Sequence, residues 1–261
     1  MTTVRNPAVA GMFYPANSQE LQNMLQEMLE HAEFKDIKPR ALIAPHAGYI
    51  YSGEIAASAY KQLEPLKNEF NRVVLLGPSH RVPFIGCAVS KADYFRTPLG
   101  DITLDRNAIQ ALSRLPQVQL LESAHAEEHS LEVHLPFLQT VLDDFSLVPI
   151  VVGNTDANSV MEVLEFFWQD PKTLFVISSD LSHYHNYHTA QQMDIHTSDA
   201  IVHLHPENIS YDDACGRNPV IGLLELAKKH NMQSIALDIR NSGDTAGSKD
   251  QVVGYGAYGF F

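Results

Sequence analysis

Three short apolar runs, each followed closely by a histidine, constrain this chain more than any other feature. The runs and the histidines that follow them are 41–44 with His46, 73–76 with His80, and 174–177 with His183. Each run is too short for a helix and ends at proline, glycine or serine, which is typical of a buried strand. Ligands of open α/β sheets bind at the carboxyl ends of parallel strands. We therefore expect the three histidines to share one site.

The spacing of apolar residues between these runs predicts alternating helices and strands. The predicted helices are 18–29, 52–60, 106–112, 157–168, 189–204 and 220–229, with Ser18 and Ser52 as N-caps. Further strands are predicted at 146–152, 234–239 and 252–261, with short antiparallel strands between 85 and 104. This alternation indicates a three-layer α/β fold with a mainly parallel, mixed sheet. We assign residues 1–261 to a single domain because the sequence contains no linker or internal repeat.

The composition argues against several classes of protein. A formal net charge of −13 is unfavourable for non-specific nucleic-acid binding, which needs a basic face. No apolar run approaches the roughly 18 residues needed to cross a bilayer, and the first residues lack the apolar segment of a signal peptide. Two cysteines in 261 residues do not make a disulfide framework, so we expect free thiols and a cytoplasmic location.

His46 and His80 are the strongest candidates for metal ligands. Neutral imidazole is a common ligand of first-row transition metals, and strand ends hold ligands rigidly. The alternative is that each is a hydrogen-bonded loop histidine. Cys215 is a third candidate, because a thiol near a helix N-terminus has a lowered pKa and its thiolate binds soft metals. Its alternative is a buried free thiol, the role that we assign to Cys87.

His183 lies three residues after Asp180 in the same predicted loop. A carboxylate within reach of an imidazole fixes its tautomer and raises its basicity, which makes a general base. Two alternatives stay open: His183 is a metal ligand supported by this carboxylate, or the preceding Ser-Ser-Asp sequence caps a helix. We assign His185 and His188 to the solvated surface.

His129 and His134 lie in an acidic segment with Glu127, Glu128 and Glu132. Their spacing differs from the His-Glu-x-x-His motif of zinc proteases. We place His129 at the start of a helix and His134 one turn inside it. A capped acidic helix is the favoured interpretation, and a second polar wall of the site is the alternative.

Six collinear motifs resemble the Memo family, known in prokaryotes as AmmeMemoRadiSam system protein B. They are Ala-Gly-Met-Phe-Tyr-Pro at 10–15, Pro-His-Ala-Gly-Tyr at 45–49, Gly-Pro-Ser-His at 77–80, Glu-His-Ser-Leu-Glu-Val-His-Leu-Pro at 128–136, Ser-Ser-Asp-Leu-Ser-His at 178–183 and Cys-Gly-Arg at 215–217. The motifs span nearly the whole chain. The resemblance implies a fold similar to that of the LigB-type extradiol dioxygenases.

The resemblance also implies roles for individual residues. It implies that the metal ligands are His46, His80 and Cys215. It implies that the catalytic pair is His183 with Asp180. The residues that it implies for substrate contact are Tyr49, His129 and His134. Iron(II) is the first expectation for the metal, with copper or zinc as alternatives. The dioxygenases have a carboxylate where this chain has Cys215, so cleavage of a catechol ring does not follow from the fold.

Three functions remain open at this point. The leading interpretation is a metal-dependent redox or dioxygenase-like enzyme that acts on a small molecule of unknown structure. A peptide- or protein-binding adaptor is the second, because eukaryotic members of the family are described as phosphopeptide-binding adaptors. The third is a metal-handling protein without catalysis. The family name also implies partners, a radical-SAM protein and an AMMECR-type protein.

Overall fold

The computed structural model describes residues 2–261, and this part of the chain forms twelve strands and eight α-helices. The strands are β1 Val4–Arg5, β2 Ala41–Ala44, β3 Arg72–Pro78, β4 Cys87–Val89, β5 Tyr94–Thr97, β6 Gly100–Thr103, β7 Val118–Leu120, β8 Ser146–Val152, β9 Thr173–Ser178, β10 His183–His185, β11 Ser234–Asn241 and β12 Val252–Phe260. The helices are α1 Ser18–His31, α2 Tyr49–Tyr60, α3 Arg106–Leu112, α4 Glu122–Ala126, α5 Leu135–Val141, α6 Ala157–Glu165, α7 Tyr187–Val202 and α8 Arg217–Lys229. No helix in this range is both long and apolar enough to span a lipid bilayer.

Nine strands form one mixed sheet, in the order β10-β12-β2-β9-β3-β8-β4-β7, with β11 paired to β12. The four central strands, β2, β9, β3 and β8, run parallel to one another, and β12 and β4 flank them in the antiparallel direction. The central strands are buried along almost their whole length. This burial explains why their sequences are continuous apolar runs and do not alternate with polar residues. Strands β1, β5 and β6 form a separate small sheet.

Helices cover both faces of the main sheet. Helices α1, α2 and α5 pack against one another in one layer, whereas α6 and α8 pack together in another. Helix α7 lies against β11 and β12. The predicted fold class, a three-layer α/β arrangement with a mainly parallel mixed sheet, is confirmed.

The parallel pairing brings the ends of the three histidine-bearing runs to one edge of the sheet. Ala44 at the end of β2 pairs with Ser178 at the end of β9, and Leu76 on β3 pairs with Ile177 on β9. Hydrogen-bonded neighbours in a sheet lie about 5 Å apart, so loops that leave these ends are close to one another. The edge that carries the predicted site is therefore built by the three central strands.

Two predicted helix starts are wrong. Helix α1 begins at Ser18, but its N-cap is Asn17, whose side-chain oxygen accepts the backbone N–H groups of Gln19 and Glu20. Helix α2 begins after Gly48, and Ser52 lies inside it with its hydroxyl donating to a backbone carbonyl. Several residues near a helix start can act as caps, so residue type alone does not fix the first turn.

The predicted helix start at His129 is also wrong. A single 3-10 turn, Glu132–His134, precedes helix α5, and His129 lies in the loop before it. Pro136 is in the first turn of α5. Proline lacks a backbone N–H and fits only the first turn of a helix, so the α-helix begins after His134.

Gly254 on β12 allows a close approach between this strand and α7. A Cβ atom at this position would lie 2.1 Å from the carboxylate oxygen of Asp194. That carboxylate accepts the backbone N–H of Ser182 at 3.0 Å, and Gly254 itself exchanges backbone hydrogen bonds with Ser182 and Leu181. The glycine is needed because its Cα atom packs on the carboxylate group.

We predict that Gly254→Ala lowers the free energy of unfolding by about 3 kcal/mol, because the new methyl group displaces Asp194 or shifts β12. The change is measured by urea unfolding followed through the fluorescence of Trp168, the single tryptophan. Gly48→Ala is the control, since a Cβ atom there would meet its nearest neighbours at 3.6 Å. Equal stability of the two variants would contradict this packing.

Candidate metal centre and cleft

A cleft of about 750 Å³ opens at the carboxyl ends of the central strands. Its lining includes four histidines together with one carboxylate and one thiol: His46, His80, His129, His183, Asp180 and Cys215. These residues come from the loops that follow β2, β3 and β9, from the start of β10, from the segment before α5 and from the turn before α8. Residues that are distant in the sequence therefore share one site.

Three of these side chains direct donor atoms to one point. A nitrogen of His46, a nitrogen of His80 and the Sγ atom of Cys215 all lie within 4.8 Å of one another. The His46 Nε2 atom is 3.4 Å from Sγ, and the centroids of the two imidazole rings are 5.1 Å apart. The predicted set of metal ligands is thus brought together by the fold.

Both imidazoles are held through their Nδ1 atoms. The Ser178 hydroxyl donates to the carbonyl oxygen of Ser130 at 2.6 Å, so it accepts a hydrogen bond from His46 Nδ1, also 2.6 Å away. His80 Nδ1 donates to the Glu128 carboxylate at 2.9 Å. In a neutral imidazole whose Nδ1 donates, Nε2 carries the lone pair. This is the usual state of histidines that bind metals.

Glu128 is a buried carboxylate that orders the loops around it. It accepts the backbone N–H of His80 at 2.6 Å and those of His129 and Ser130 at 3.0 Å each. Burial alone would raise the pKa of Glu128, but these hydrogen bonds and the bond from the His80 ring outweigh burial and lower it to about 2. The group is therefore ionised, and it fixes the orientation of His80.

Asp180 is turned towards His46. One carboxylate oxygen accepts the backbone N–H of His46 at 2.7 Å, and the other is 3.9 Å from His46 Nε2. The backbone N–H of Asp180 points at the Cys215 sulfur at 3.3 Å. Among the hydrogen bonds of residues 2–261, none joins Asp180 to His183. The predicted pairing of these two side chains is not formed.

The predicted lowering of the Cys215 pKa is wrong for the metal-free protein. Burial and the nearby charge of Asp180 raise the pKa of the thiol to about 12. Helix α8 begins two residues later, at Arg217, and its N-terminus does not offset burial. A bound cation would favour the thiolate, since metal ligation and loss of the thiol proton are coupled. Cys87 is fully buried in the core, in agreement with its prediction.

The profile of the Memo-like protein family matches residues 5–258. The chain belongs to the Memo-like family. A MEMO1 family protein of Aquifex aeolicus is 36% identical over 263 residues and covers 97% of each chain, and one of Ignicoccus hospitalis is 37% identical over 283 residues and covers 98% of each. Protein MEMO1 of Mus musculus is 32% identical over 286 residues, covering 97% of this chain and 96% of the mouse protein. The predicted family is confirmed.

The fold of this Memo family member is also found in a solved structure of low sequence identity. The crystal structure of the uncharacterized protein JW3007 from Escherichia coli K12 matches with a TM-score of 0.50 and 12% identity. The match covers 82% of this chain and 98% of the other. At this identity the likeness concerns the fold alone, and the likeness to LigB-type dioxygenases stays a prediction.

The structure separates the residues expected to contact a substrate. His129 lines the cleft, where its ring stacks on His80 at 4.7 Å. Tyr49 and His134 are buried in the core instead: the Tyr49 hydroxyl donates to a backbone carbonyl at 2.6 Å, and His134 Nδ1 is 2.8 Å from the Tyr60 hydroxyl. Of these three residues, only His129 lines the cleft.

Sequence reasoning did not assign a role to several residues that line the cleft or support its histidines. Ser178, which fixes the His46 ring, was interpreted as part of a possible helix cap and of a family motif, with no role of its own, although it directly follows the apolar run of β9. Phe13 and Arg81 lie in loops, Tyr51 lies at a helix start and Tyr184 lies in the short strand β10, and none of them carries a periodic signal. The position of Ser178 at a strand end could have indicated its role, and Phe13 lies in the motif at 10–15, but no motif or pattern in the sequence marks the other three.

A buried acid holds the backbone next to His183. Asp194 on α7 accepts the backbone N–H of Ser182, the residue before His183. Burial raises the pKa of Asp194 to about 6, with a further contribution from Asp213, although the hydrogen bonds from Ser182 oppose this shift. Ionisation of Asp194 is thus less favourable in the folded chain than in the unfolded one.

We compare the free energy of unfolding of Asp194→Asn with that of the natural chain. We predict that this difference shifts in favour of the variant by about 2 kcal/mol as the pH rises from 4 to 7. A raised carboxyl pKa contributes stability below the unfolded value of 3.8, and this contribution is lost as the pH rises through about 6. Asparagine keeps the hydrogen bond to Ser182 and cannot ionise. Urea unfolding across this pH range measures the difference. Asp199→Asn, at an exposed position of the same helix, is the control, and a pH-independent difference would contradict the prediction.

Proposed function

We propose that His46, His80 and Cys215 bind one transition metal ion, with iron(II) as the first choice and copper or zinc as alternatives. The observation that carries this proposal is the convergence of three donor atoms within 4.8 Å of one another. Two imidazoles and a thiolate are suitable donors for first-row transition metals. Three protein ligands also leave coordination positions for other molecules, as catalytic sites require.

The Nδ1 contacts support the same proposal. Ser178 and Glu128 engage the Nδ1 atoms of His46 and His80, so the Nε2 atom of each neutral ring carries the lone pair that a metal ion needs. Hydrogen-bonded partners of this kind orient ligating histidines and raise their basicity. A loop histidine that served only to pack or cap would not require this arrangement on two separate strands.

We infer that the cleft is the active site of a metal-dependent redox enzyme acting on a small molecule. An iron or copper ion supplies redox and Lewis-acid chemistry when bound. His183 lines the cleft, and burial lowers its pKa below the ordinary value of 6.5, against the opposing effect of the Leu181 carbonyl. A neutral imidazole at this position can accept a proton from a bound substrate. Asp180 positions His46 and the thiol, and its catalytic role is indirect.

A second candidate function is a binding module that uses the same cleft. Three apolar side chains are exposed at or beside the cleft: Met12 by 73%, Ile50 by 63% and Tyr184 by 71%. Tyr184 lines the cleft, as do Phe13 and Tyr51, which follow Met12 and Ile50 in the sequence. Exposed apolar residues beside a cleft are typical of docking surfaces for peptides or proteins. A peptide, a radical-SAM protein or an AMMECR-type protein is the proposed partner in this case. Partner binding that survives His46→Ala would favour this function over catalysis.

We predict that the protein binds about one metal ion per chain when Fe(II), Cu(I) or Zn(II) is added anaerobically, each in a separate experiment. We expect His46→Ala and Cys215→Ser each to weaken this binding at least about 100-fold. Elemental analysis and visible absorption measure the bound metal. An oxygen electrode measures oxygen consumption by the iron-loaded protein, which we expect to be lost in both variants.

His188→Ala is the matched control for these variants, because His188 is an exposed histidine outside the cleft. Failure of the natural chain to bind any of the three metals would overturn the proposal. Metal binding without oxygen consumption for any candidate substrate would favour a metal-handling protein.

We predict that Ser178→Ala weakens metal binding about ten- to 100-fold, because the His46 ring loses the acceptor that fixes its tautomer and orientation. Competition with a chelator of known affinity measures the change. Ser58→Ala is the control, since Ser58 is also buried and hydrogen-bonded but binds Asp238 outside the cleft. Unchanged affinity in Ser178→Ala would show that the serine does not orient the ligand.

A further inference from the structure

Tyr60 and His134 form a buried polar pair beneath the loops of the cleft. Tyr60 is the last residue of α2, and His134 ends the 3-10 turn before α5. Neither side chain is exposed, and the Tyr60 hydroxyl oxygen lies 2.8 Å from Nδ1 of His134. The metal centre and the cleft proposed above leave both side chains without a role.

The phenol is the donor in this hydrogen bond. Burial raises the pKa of Tyr60 well above its ordinary value and lowers the pKa of His134 to about 3, so both groups are neutral. Within residues 2–261, Nε2 of His134 is buried without a hydrogen-bond partner. A proton on Nδ1 would leave the phenolic hydrogen and the Nε2 lone pair both unpaired, whereas a donating phenol leaves only the Nε2–H group unpaired. The lone pair of Nδ1 therefore faces the phenolic proton.

Packing alone does not explain this pair. A buried N–H group without a partner costs about 1–3 kcal/mol, and two apolar side chains of the same shape would avoid that cost. The surroundings are already apolar: the Tyr60 ring stacks on Phe137, with centroids 5.0 Å apart and planes inclined by 8°. Polar groups that break the rules of core packing are expected where chemistry requires them.

A row of aromatic rings connects the pair with the loop of the metal site. Phe137 lies between Tyr60 and Tyr49, with centroid distances of 5.0 and 5.1 Å. Tyr49 follows His46 by three residues, and its backbone N–H donates to the carbonyl oxygen of Phe13, a residue of the cleft wall. Neighbouring rings in a dry core provide a short path for an electron between the cleft and the pair.

We propose that Tyr60 and His134 form a redox-active pair that supplies one electron to a strong one-electron oxidant, such as a peroxide-derived species, in the cleft. The Tyr60 phenol loses one electron to the oxidant, and its O–H bond breaks as the proton moves to Nδ1 of His134. The products are a neutral tyrosyl radical, an imidazolium and the oxidant reduced by one electron. A base at hydrogen-bond distance is needed because an oxidised phenol is a strong acid and must lose its proton.

The pair protects the proposed thiol ligand. An oxidant in the cleft is next to the sulfur of Cys215, and oxidation of a thiolate beyond the sulfenic acid is irreversible in most proteins. Transfer of an electron from Tyr60 moves the oxidising equivalent into the core, away from this sulfur. The source of the oxidant rests on the function proposed above, since a bound redox metal would generate it.

Photochemical oxidation of the metal-free protein tests the pair independently of the metal. A ruthenium tris-bipyridine sensitiser with persulfate supplies the one-electron oxidant, the samples are frozen after seconds, and EPR measures the tyrosyl radicals that persist. The variants are Tyr60→Phe, which keeps the ring, and His134→Gln, which keeps an acceptor but removes the base. Tyr258→Phe is the matched control, because Tyr258 is equally buried and its hydroxyl has no hydrogen-bond partner within residues 2–261.

We expect a persistent radical in the natural chain and in Tyr258→Phe, and a signal at least about tenfold smaller in Tyr60→Phe and in His134→Gln. Radicals on exposed tyrosines couple with one another and decay, whereas a buried radical is shielded from such encounters. Equal persistent signals in the natural chain and in Tyr60→Phe, or no persistent signal in the natural chain, would overturn the proposal.

High-field EPR of the natural chain makes the test independent of any variant's folding. A tyrosyl radical that accepts a hydrogen bond from an imidazolium has a lower g1 value than a radical without a hydrogen bond. A persistent radical with the g1 value of an unbonded phenoxyl group would therefore also overturn the proposal.

Hydrogen peroxide added to the Fe(II)-loaded protein separates this proposal from the metal centre, with bound iron measured by elemental analysis. A Tyr60-dependent radical in the photochemical experiment, with no bound iron, would support the pair and reject the metal centre. Bound iron without a Tyr60-dependent radical in either experiment would retain the metal centre and reject the pair. A radical that forms photochemically but not with peroxide in the iron-loaded protein would reject the transfer of an electron from the pair to the cleft.

Discussion

The ion pair between Arg5 and Glu132 fixes the amino-terminal segment against the segment before α5, which carries the cleft residue His129. Both side chains are buried, and the Glu132 carboxylate also accepts the Tyr14 hydroxyl and two backbone N–H groups of the same segment. A buried carboxylate that loses such partners is costly, so the segment is held in one position. The segment in turn supplies Phe13 to the cleft wall.

The same principle is repeated around the site. Glu128, Asp180 and Asp194 are buried, and each accepts a backbone N–H from a residue that lines the cleft or adjoins the lining. Backbone N–H groups are obligatory donors, and a carboxylate is the strongest acceptor that a side chain can offer them. These acids therefore define the loops, while the histidines and the thiol are left free for chemistry.

The sequence predicted the strands of the centre better than the loops of the site. A strand that is buried on both faces gives a continuous apolar run, which is easily recognised in the sequence. These runs correctly predicted the positions of β2, β3 and β9, each followed by a histidine. The direction of Asp180 was not predictable, because a carboxylate in a short loop can reach either His183 or the amide of His46. His134 and Tyr49 fell within recognisable motifs, yet only the packing of α2 and α5 shows that they are buried.

The three proposed ligands come from distant parts of the chain, the ends of two strands and the turn before α8. In the unfolded chain these groups are far apart, so an ion has high affinity only for the native arrangement. An ion at this place acts as a reversible cross-link over the edge of the sheet, and mass action then makes the apparent stability depend on the free metal concentration. The supply of metal in the cell would therefore influence how much of this chain is folded, in addition to how much of it is active.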